Sequence, residues 1–166
     1  GRPLPNGCVA RVVGRRRFAP KTSWRTSTNG EASGPMLVVD ASCLFEIVAD
    51  TPRSVEVGAR LAADPDHVAP EVIDVEVLGV VRAQYLRGGL DGTAAGQAVE
   101  DRREWPGERY SHRWMLDRVW ELRESIRGPD AFYVTLAEAL DATLVTLDAK
   151  LARAHGPTCR IEVLGG

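Results

Sequence analysis

Cysteine is scarce in this 166-residue chain and badly placed for cross-linking. Cys8, Cys43 and Cys159 form an odd, widely separated set with no C-x-x-C pair, which excludes a disulfide framework and a structural zinc site. Histidine is equally sparse: His67, His112 and His155 are scattered, with no H-E-x-x-H. Long hydrophobic runs are missing too, and nothing approaches the roughly 20 apolar residues that a membrane span needs. These absences leave a globular chain expected in a reducing cytoplasm. Its 44% hydrophobic and 27% charged residues, in 18.1 kDa, suit one domain with a real core.

The small net charge of −2 conceals an asymmetry. Residues 1–35 hold seven Lys and Arg (Arg2, Arg11, Arg15, Arg16, Arg17, Lys21, Arg25) against Glu31 alone. The remainder carries fourteen basic and twenty-two acidic residues and is therefore net acidic. An acidic body that bound nucleic acid would need a local basic patch, or cations between itself and the phosphates. Residues 1–35 are also rich in Pro, Gly, Ser and Thr without a sustained period, so they read as a tail with little fixed structure. "RRRF" is not followed by a hydrophobic segment, so an export signal is excluded. The tail is expected to be extraneous, or translated from upstream of the natural start at Met36, with a nucleic-acid-binding arm as the alternative.

From Met36 to residue 166 the pattern is α/β. "MLVV" is a short apolar run of the kind found in strands covered on both faces. "SCLFEIVAD" reads as a helix stopped by Thr51-Pro52, "RSVEVGARLAAD" as a second helix, and "HVAP" as a brief strand. "PEVIDVEVLGVVRAQYLRGG" reads as a long helix, with Pro70 in its first turn and Gly88-Gly89 at its end. Helices are expected around Ala94–Glu104 and Ser111–Arg127, and another over "GPDAFYVTLAEAL". A strand "ATLVTL", a short helix "DAKLARA" and a strand "CRIEVL" complete the chain. Strands alternating with helices predict a three-layer α/β/α domain around a mainly parallel twisted sheet.

Four acids stand out. Asp40 and Asp148 each follow a predicted strand, and ligands of doubly wound sheets bind beyond the carboxyl ends of strands. A helix N-cap is the competing role for an Asp at such a junction. Glu76 has Val72, Ile73, Val77 and Val80 around it and projects from an apolar stripe; its alternative is a glutamate at the stripe's edge that snorkels to solvent. Asp130 lies one turn before Tyr133 and Val134; its alternative is a first-turn acid favoured by the helix dipole, worth only about 0.3–1 kcal/mol. Two carboxylates ~4 Å apart repel by roughly 4 kcal/mol at an effective dielectric near 20. Four converging carboxylates therefore need cations or raised pKa values. All-oxygen ligation selects Mg²⁺ or Mn²⁺, which generates hydroxide from bound water and orients a phosphodiester.

The segments "MLVVDASCLFEIV", "APEVIDVEVLGVVR" and "LDRVWELRESIRGPDAFYVTLAEALDATLVTLDAKLARA" resemble PIN-domain ribonuclease toxins of VapC type, from Met36 to the C-terminus. "DAFYVTLAEALDATLVTLD" is the most specific part. The resemblance implies an α/β/α PIN fold and a Mg²⁺- or Mn²⁺-dependent endoribonuclease. It also implies toxin dimerisation and inhibition by a small VapB-like antitoxin that lies across the acidic groove. The family's four acids fall on Asp40, Glu76, Asp130 and Asp148, implying catalytic and metal-binding roles there. Ser42 and Thr146 are supporting candidates for ligand or phosphate. Arg127-Gly128-Pro129 departs from the polar, Thr-containing turn common before the third acid.

Arg102–Arg127 contains seven arginines interleaved with Trp105, Tyr110, Trp114 and Trp120, a composition able to hold phosphates and stack unpaired bases. Arg113, Arg118 and Trp120 are the RNA-binding candidates, and Trp120 is an equal candidate for a dimer mate or an antitoxin helix. Met115, Val119, Leu122 and Ile126 share a helical stripe that belongs in the core. Two other functional classes compete with a nuclease. A phosphate-receiving signalling domain wants an acidic pair at the first strand, where this chain has Asp40 alone. A catalytically silent RNA- or protein-binding module would use the same fold without turnover.

Overall fold

The computed structural model describes residues 36–64 and 66–165. The expectation of a basic tail over residues 1–35 lies outside the described residues. Among the described residues thirteen elements follow one another, strands interspersed with helices. The first half comprises β1 (Leu37–Val39), α1 (Ala41–Val48), α2 (Ser54–Ala63), β2 (His67–Pro70), α3 (Val72–Leu86) and α4 (Gly92–Glu104). The second comprises β3 (Glu108–Tyr110), a 3-10 turn (Arg113–Met115), α5 (Leu116–Glu121), α6 (Gly128–Ala139), β4 (Thr143–Thr146), another 3-10 turn (Leu151–Arg153) and β5 (Arg160–Val163).

The five strands form one sheet in the order β3-β2-β1-β4-β5, and every neighbouring pair is parallel. The chain thus steps outward from β1 through β2 to β3, then returns to β4 on the other side of β1. That reversal opens a crevice at the carboxyl ends of β1 and β4, where doubly wound sheets take their ligands. The helices divide between two layers: α1 packs on α2, α3 and α4, while α6 packs over β1, β2 and β4 and against α5. The α/β/α expectation is met. Leu37, Val38 and Val39 are all fully buried, as a strand with helices on both faces requires.

Several boundaries differ from the sequence reading, each for a physical reason. Pro70 closes β2 instead of opening α3, in register with Tyr110 of β3. A proline ends a strand without breaking its ladder, because the missing N–H is demanded only if pairing continues. β3 was not anticipated, since "ERY" has no apolar run; its pairing with β2 makes it a strand. The helix expected over Ser111–Arg127 is broken into the 3-10 turn, α5 and further turns, yet it still delivers Met115, Leu122 and Ile126 to the core. The helix expected over "DAKLARA" is only a 3-10 turn. Gly88 does end α3, in the left-handed region at φ 77°, with Gly89 N–H returning to the Gln84 carbonyl.

Candidate active site

β1 delivers Asp40 to the crevice. Its backbone N–H donates to the Val145 carbonyl at 3.0 Å, which locks the end of β1 to β4. Its carbonyl accepts from Cys43 and Leu44, starting α1. The carboxylate does not cap that helix. Instead its Oδ2 accepts from the Ser42 hydroxyl at 2.8 Å and from the Thr146 hydroxyl. Both hydroxyls are held from behind: Leu147 N–H donates to Ser42 Oγ at 3.1 Å, and Asp148 N–H to Thr146 Oγ1 at 3.0 Å. Burial pushes the Asp40 carboxyl above its ordinary range and the Asp130 charge adds to this, while the two hydroxyls and the Ala41 N–H oppose it.

Glu76 stands on α3 beside the buried face formed by Ile73, Val77 and Val81. Val80, placed on that stripe by the sequence reading, is 37% exposed; the helix turns it outward as Val81 takes the core. Glu76 itself is half-buried, and its Oε2 accepts from the Tyr133 phenol at 2.7 Å. Burial raises its carboxyl, with the charges of Asp40 and Asp130 adding to the effect. The Tyr133 hydrogen bond and the Arg127 charge pull the other way. Mutual repulsion thus links Asp40, Glu76 and Asp130 across β1, α3 and α6.

Asp130 occupies the first turn of α6, behind Pro129. Both of its oxygens are taken by Arg127, at 2.9 Å from Nε and 3.2 Å from Nη2. The Asp130 side chain is 19% exposed and the Arg127 side chain 79%. Arg127 also feels the charges of Asp148 and Glu76, so one exposed guanidinium is shared electrostatically among three acids. Asp148, after β4, accepts from the Lys150 N–H at 2.8 Å in a tight turn. The arrangement couples Asp40, Glu76 and Asp130 directly, and Asp148 through Arg127. Among the described residues, no three His, Cys, Asp or Glu side chains form a group that could hold a metal ion as they lie.

Tyr133 was not singled out from sequence. The available signal was a phenol one turn beyond Asp130 on a helix otherwise apolar on that side, since a buried Tyr needs a partner for its hydroxyl. The nearby thiol of Cys43 is not a nucleophile: it is fully buried, its Sγ faces the Val145 carbonyl, and burial pushes it up.

The arginine- and aromatic-rich segment is largely used by the fold. Trp105 is 2% exposed, stacked near His67 and covered by the Arg109 guanidinium at 4.8 Å. Arg109 also donates to the carbonyls of Trp105 and Gly107. Arg118 donates to both oxygens of Glu138, to Glu121 and to the Gly156 carbonyl, tying α5 to α6. Arg113 is exposed, and Trp120 is 69% exposed with Arg123 over its ring.

The family model of the PIN domain matches residues 37–157. Ribonuclease VapC12 of Mycobacterium tuberculosis is 33% identical over 129 residues, 78% of this chain and 99% of that protein. Ribonuclease VapC3 of the same species is 38% identical over 119 residues, 71% of this chain and 86% of that protein. Among solved structures, the VapBC2 complex of Rickettsia felis bound to a promoter DNA fragment superposes at a TM-score of 0.56 and 16% identity, covering 77% of this chain and 98% of that one. PAE2754 of Pyrobaculum aerophilum also gives 0.56, at 20% identity, covering 84% and 93%. Those two likenesses concern the fold. A switch-point crevice lined by mutually repelling carboxylates, on a sequence a third identical to such enzymes, makes this chain a member of the PIN-domain family and a relative of the VapC ribonucleases.

Proposed function

We propose that this protein is a Mg²⁺- or Mn²⁺-dependent endoribonuclease, the toxin of a toxin–antitoxin pair, which hydrolyses RNA phosphodiester bonds at the crevice between β1 and β4. The observation that carries the reading is the crowding of Asp40, Glu76 and Asp130, with two of these carboxyls raised by burial and by their neighbours' charge. Crowded carboxylates raised by burial and by one another at the carboxyl ends of parallel strands mark a candidate functional site. The donor set suits a hard cation in kind, being carboxylate and hydroxyl oxygen. Asp40, Glu76 and Asp130 would hold the ion, with Asp148 completing the pocket. When bound, the ion supplies an activated water and neutralises developing charge on the phosphate.

The chain's own residues have separable tasks in this reading. Ser42 and Thr146 fix the Asp40 carboxylate by occupying its Oδ2. Arg127 offsets part of the pocket's negative charge, and release of that pairing would free Asp130 to serve as a ligand. The relatives' names support a ribonuclease, and the fold shared with a VapBC complex supports a VapB-like antitoxin partner. A basic antitoxin side chain would find in the pocket the charge that Arg127 now meets. A homodimer belongs to the same proposal; α3 presents Val75, Leu78, Tyr85 and Leu86, each more than half exposed, and such a stripe favours a covering partner. Arg113 and Trp120 are proposed RNA contacts, because both are exposed. Arg118 is the weaker candidate, since its donors are engaged by Glu138, Glu121 and Gly156. No helix among the described residues is long and apolar enough to cross a membrane, in keeping with a cytoplasmic site of action.

The decisive experiment incubates purified protein with total cellular RNA and maps the cleavage sites. Cleavage should require Mg²⁺ or Mn²⁺, and Asp40→Asn should abolish it in a folded protein. Undiminished cleavage in excess chelator would overturn the metal-dependent mechanism. RNA and metal binding without cleavage would favour the silent binding module.

A further inference from the structure

The Tyr133 side chain is 1% exposed, in the middle of α6, and its hydroxyl reaches the proposed site. The phenol donates to Glu76 Oε2 at 2.7 Å. One hydroxyl therefore ties α3 to α6 across 57 positions of the chain. Asp130 lies three residues earlier on that helix, one turn away. Glu76 receives no other side-chain hydrogen bond among the described residues, and its own helix would let the long side chain sweep several rotamers. A glutamate has three rotatable side-chain bonds, and ordering it has an entropic cost that a fixed donor removes in advance.

We propose that Tyr133 is a positioning residue, whose hydroxyl holds the Glu76 carboxylate at the crevice so that it can serve as a ligand for a divalent cation. This deepens the metal-dependent nuclease reading and rests on it. Occupying Oε2 orients the group, as partners behind metal ligands commonly do, and losing such a partner typically lowers metal affinity about 10–100-fold. The ring packs in the core whether or not the hydroxyl is present. The two roles of Tyr133 can therefore be separated.

The test is Tyr133→Phe in the full chain, read by Mn²⁺ binding in the absence of RNA, by thermal melting, and by RNA cleavage against Mn²⁺ concentration. The variant should melt within a few degrees of the parent, bind Mn²⁺ at least about tenfold more weakly, and recover most of its turnover at saturating Mn²⁺. In a Glu76→Gln background the same substitution should change Mn²⁺ affinity less than about twofold, since the two residues act as one unit. Unchanged Mn²⁺ affinity in Tyr133→Phe, or equal losses in both backgrounds, would overturn the positioning role while leaving the nuclease reading intact. Absence of Mn²⁺ binding and of cleavage in the parent protein would overturn both. In the intact parent, Mg²⁺ titration should also shift the ring resonances of Tyr133, and Glu76→Gln should suppress that shift. Resonances that stay put while Mg²⁺ binds would refute the proposal even where Tyr133→Phe does not fold.

Discussion

Two charged regions of this molecule share a scaffold and solve opposite problems. Around Arg118, charges are matched: its guanidinium meets both oxygens of Glu138, one of Glu121 and the Gly156 carbonyl, and Thr158 N–H adds a further bond to Glu138. Its partner Glu138 is held below the ordinary range by these bonds, against the opposing effect of burial. At the crevice the charges are mismatched. Asp40 and Glu76 are raised, repel Asp130 and each other, and draw their hydrogen bonds from neutral hydroxyls. The contrast separates charge that holds α5 to α6 from charge left mismatched at the crevice.

The largest expected effect breaks the mismatched region. Asp40→Asn and Asp130→Asn should each lower metal-dependent RNA cleavage by at least about 10²-fold, measured at saturating Mn²⁺. The melting temperature of Asp40→Asn should hold or rise, because Asn retains an acceptor for Ser42 and Thr146 and removes a crowded charge. A melting temperature that collapses with activity would place Asp40 in the structural class.

The matched region should behave in reverse. Glu138→Ala should leave turnover near that of the parent, yet cost about 1 kcal/mol or somewhat more in urea unfolding, since the geometry is bidentate but Arg118 is one-third exposed. A stability change near zero would make that network ornamental.

The two regions should also respond oppositely to acid. A group raised in the folded state costs stability while ionised, so Asp40 and Glu76 should make the metal-free protein more stable as pH falls from neutral into their raised range. Glu138 is lowered, so its contribution is fully present above the unfolded carboxyl value and is lost as pH falls through the folded one. Stability against pH should therefore rise and then fall on acidification, and Asp40→Asn should flatten the rise selectively.

The smallest effect concerns Arg127, the bridge between the two kinds of charge. Its pairing with Asp130 is mostly in solvent, so Arg127→Ala should alter stability by less than about 0.5 kcal/mol. The Mn²⁺ concentration for half-maximal cleavage should fall a few fold, as a resident competitor for Asp130 is removed. A rise would mean that Arg127 assists the substrate instead.

Much of the framework was written along the chain. The apolar runs at Leu37–Val39 and Thr143–Thr146, and the left-handed Gly88 that ends α3, depend on neighbours within a turn. β3 and the break in the helix expected over Ser111–Arg127 escaped that reading, because distant pairing decided them: Glu108–Tyr110 extend only against β2. In the aromatic segment, too, distant contacts set the roles of individual side chains. Trp105 and Arg118 have the composition of an RNA surface, yet one is packed away and the other tied to Glu138.

By itself the sequence determined which acids end strands and which stand beside apolar stripes, since those placements follow from periods of two and 3.6 residues. Only the tertiary structure decided who neutralises whom. Asp40 meets Thr146 across 106 positions and Glu76 meets Tyr133 across 57, pairings made where β1, β4, α3 and α6 converge. Hydrogen bonds and Coulomb forces act over a few ångströms of space, and separation along the chain says nothing about that distance until the sheet has folded.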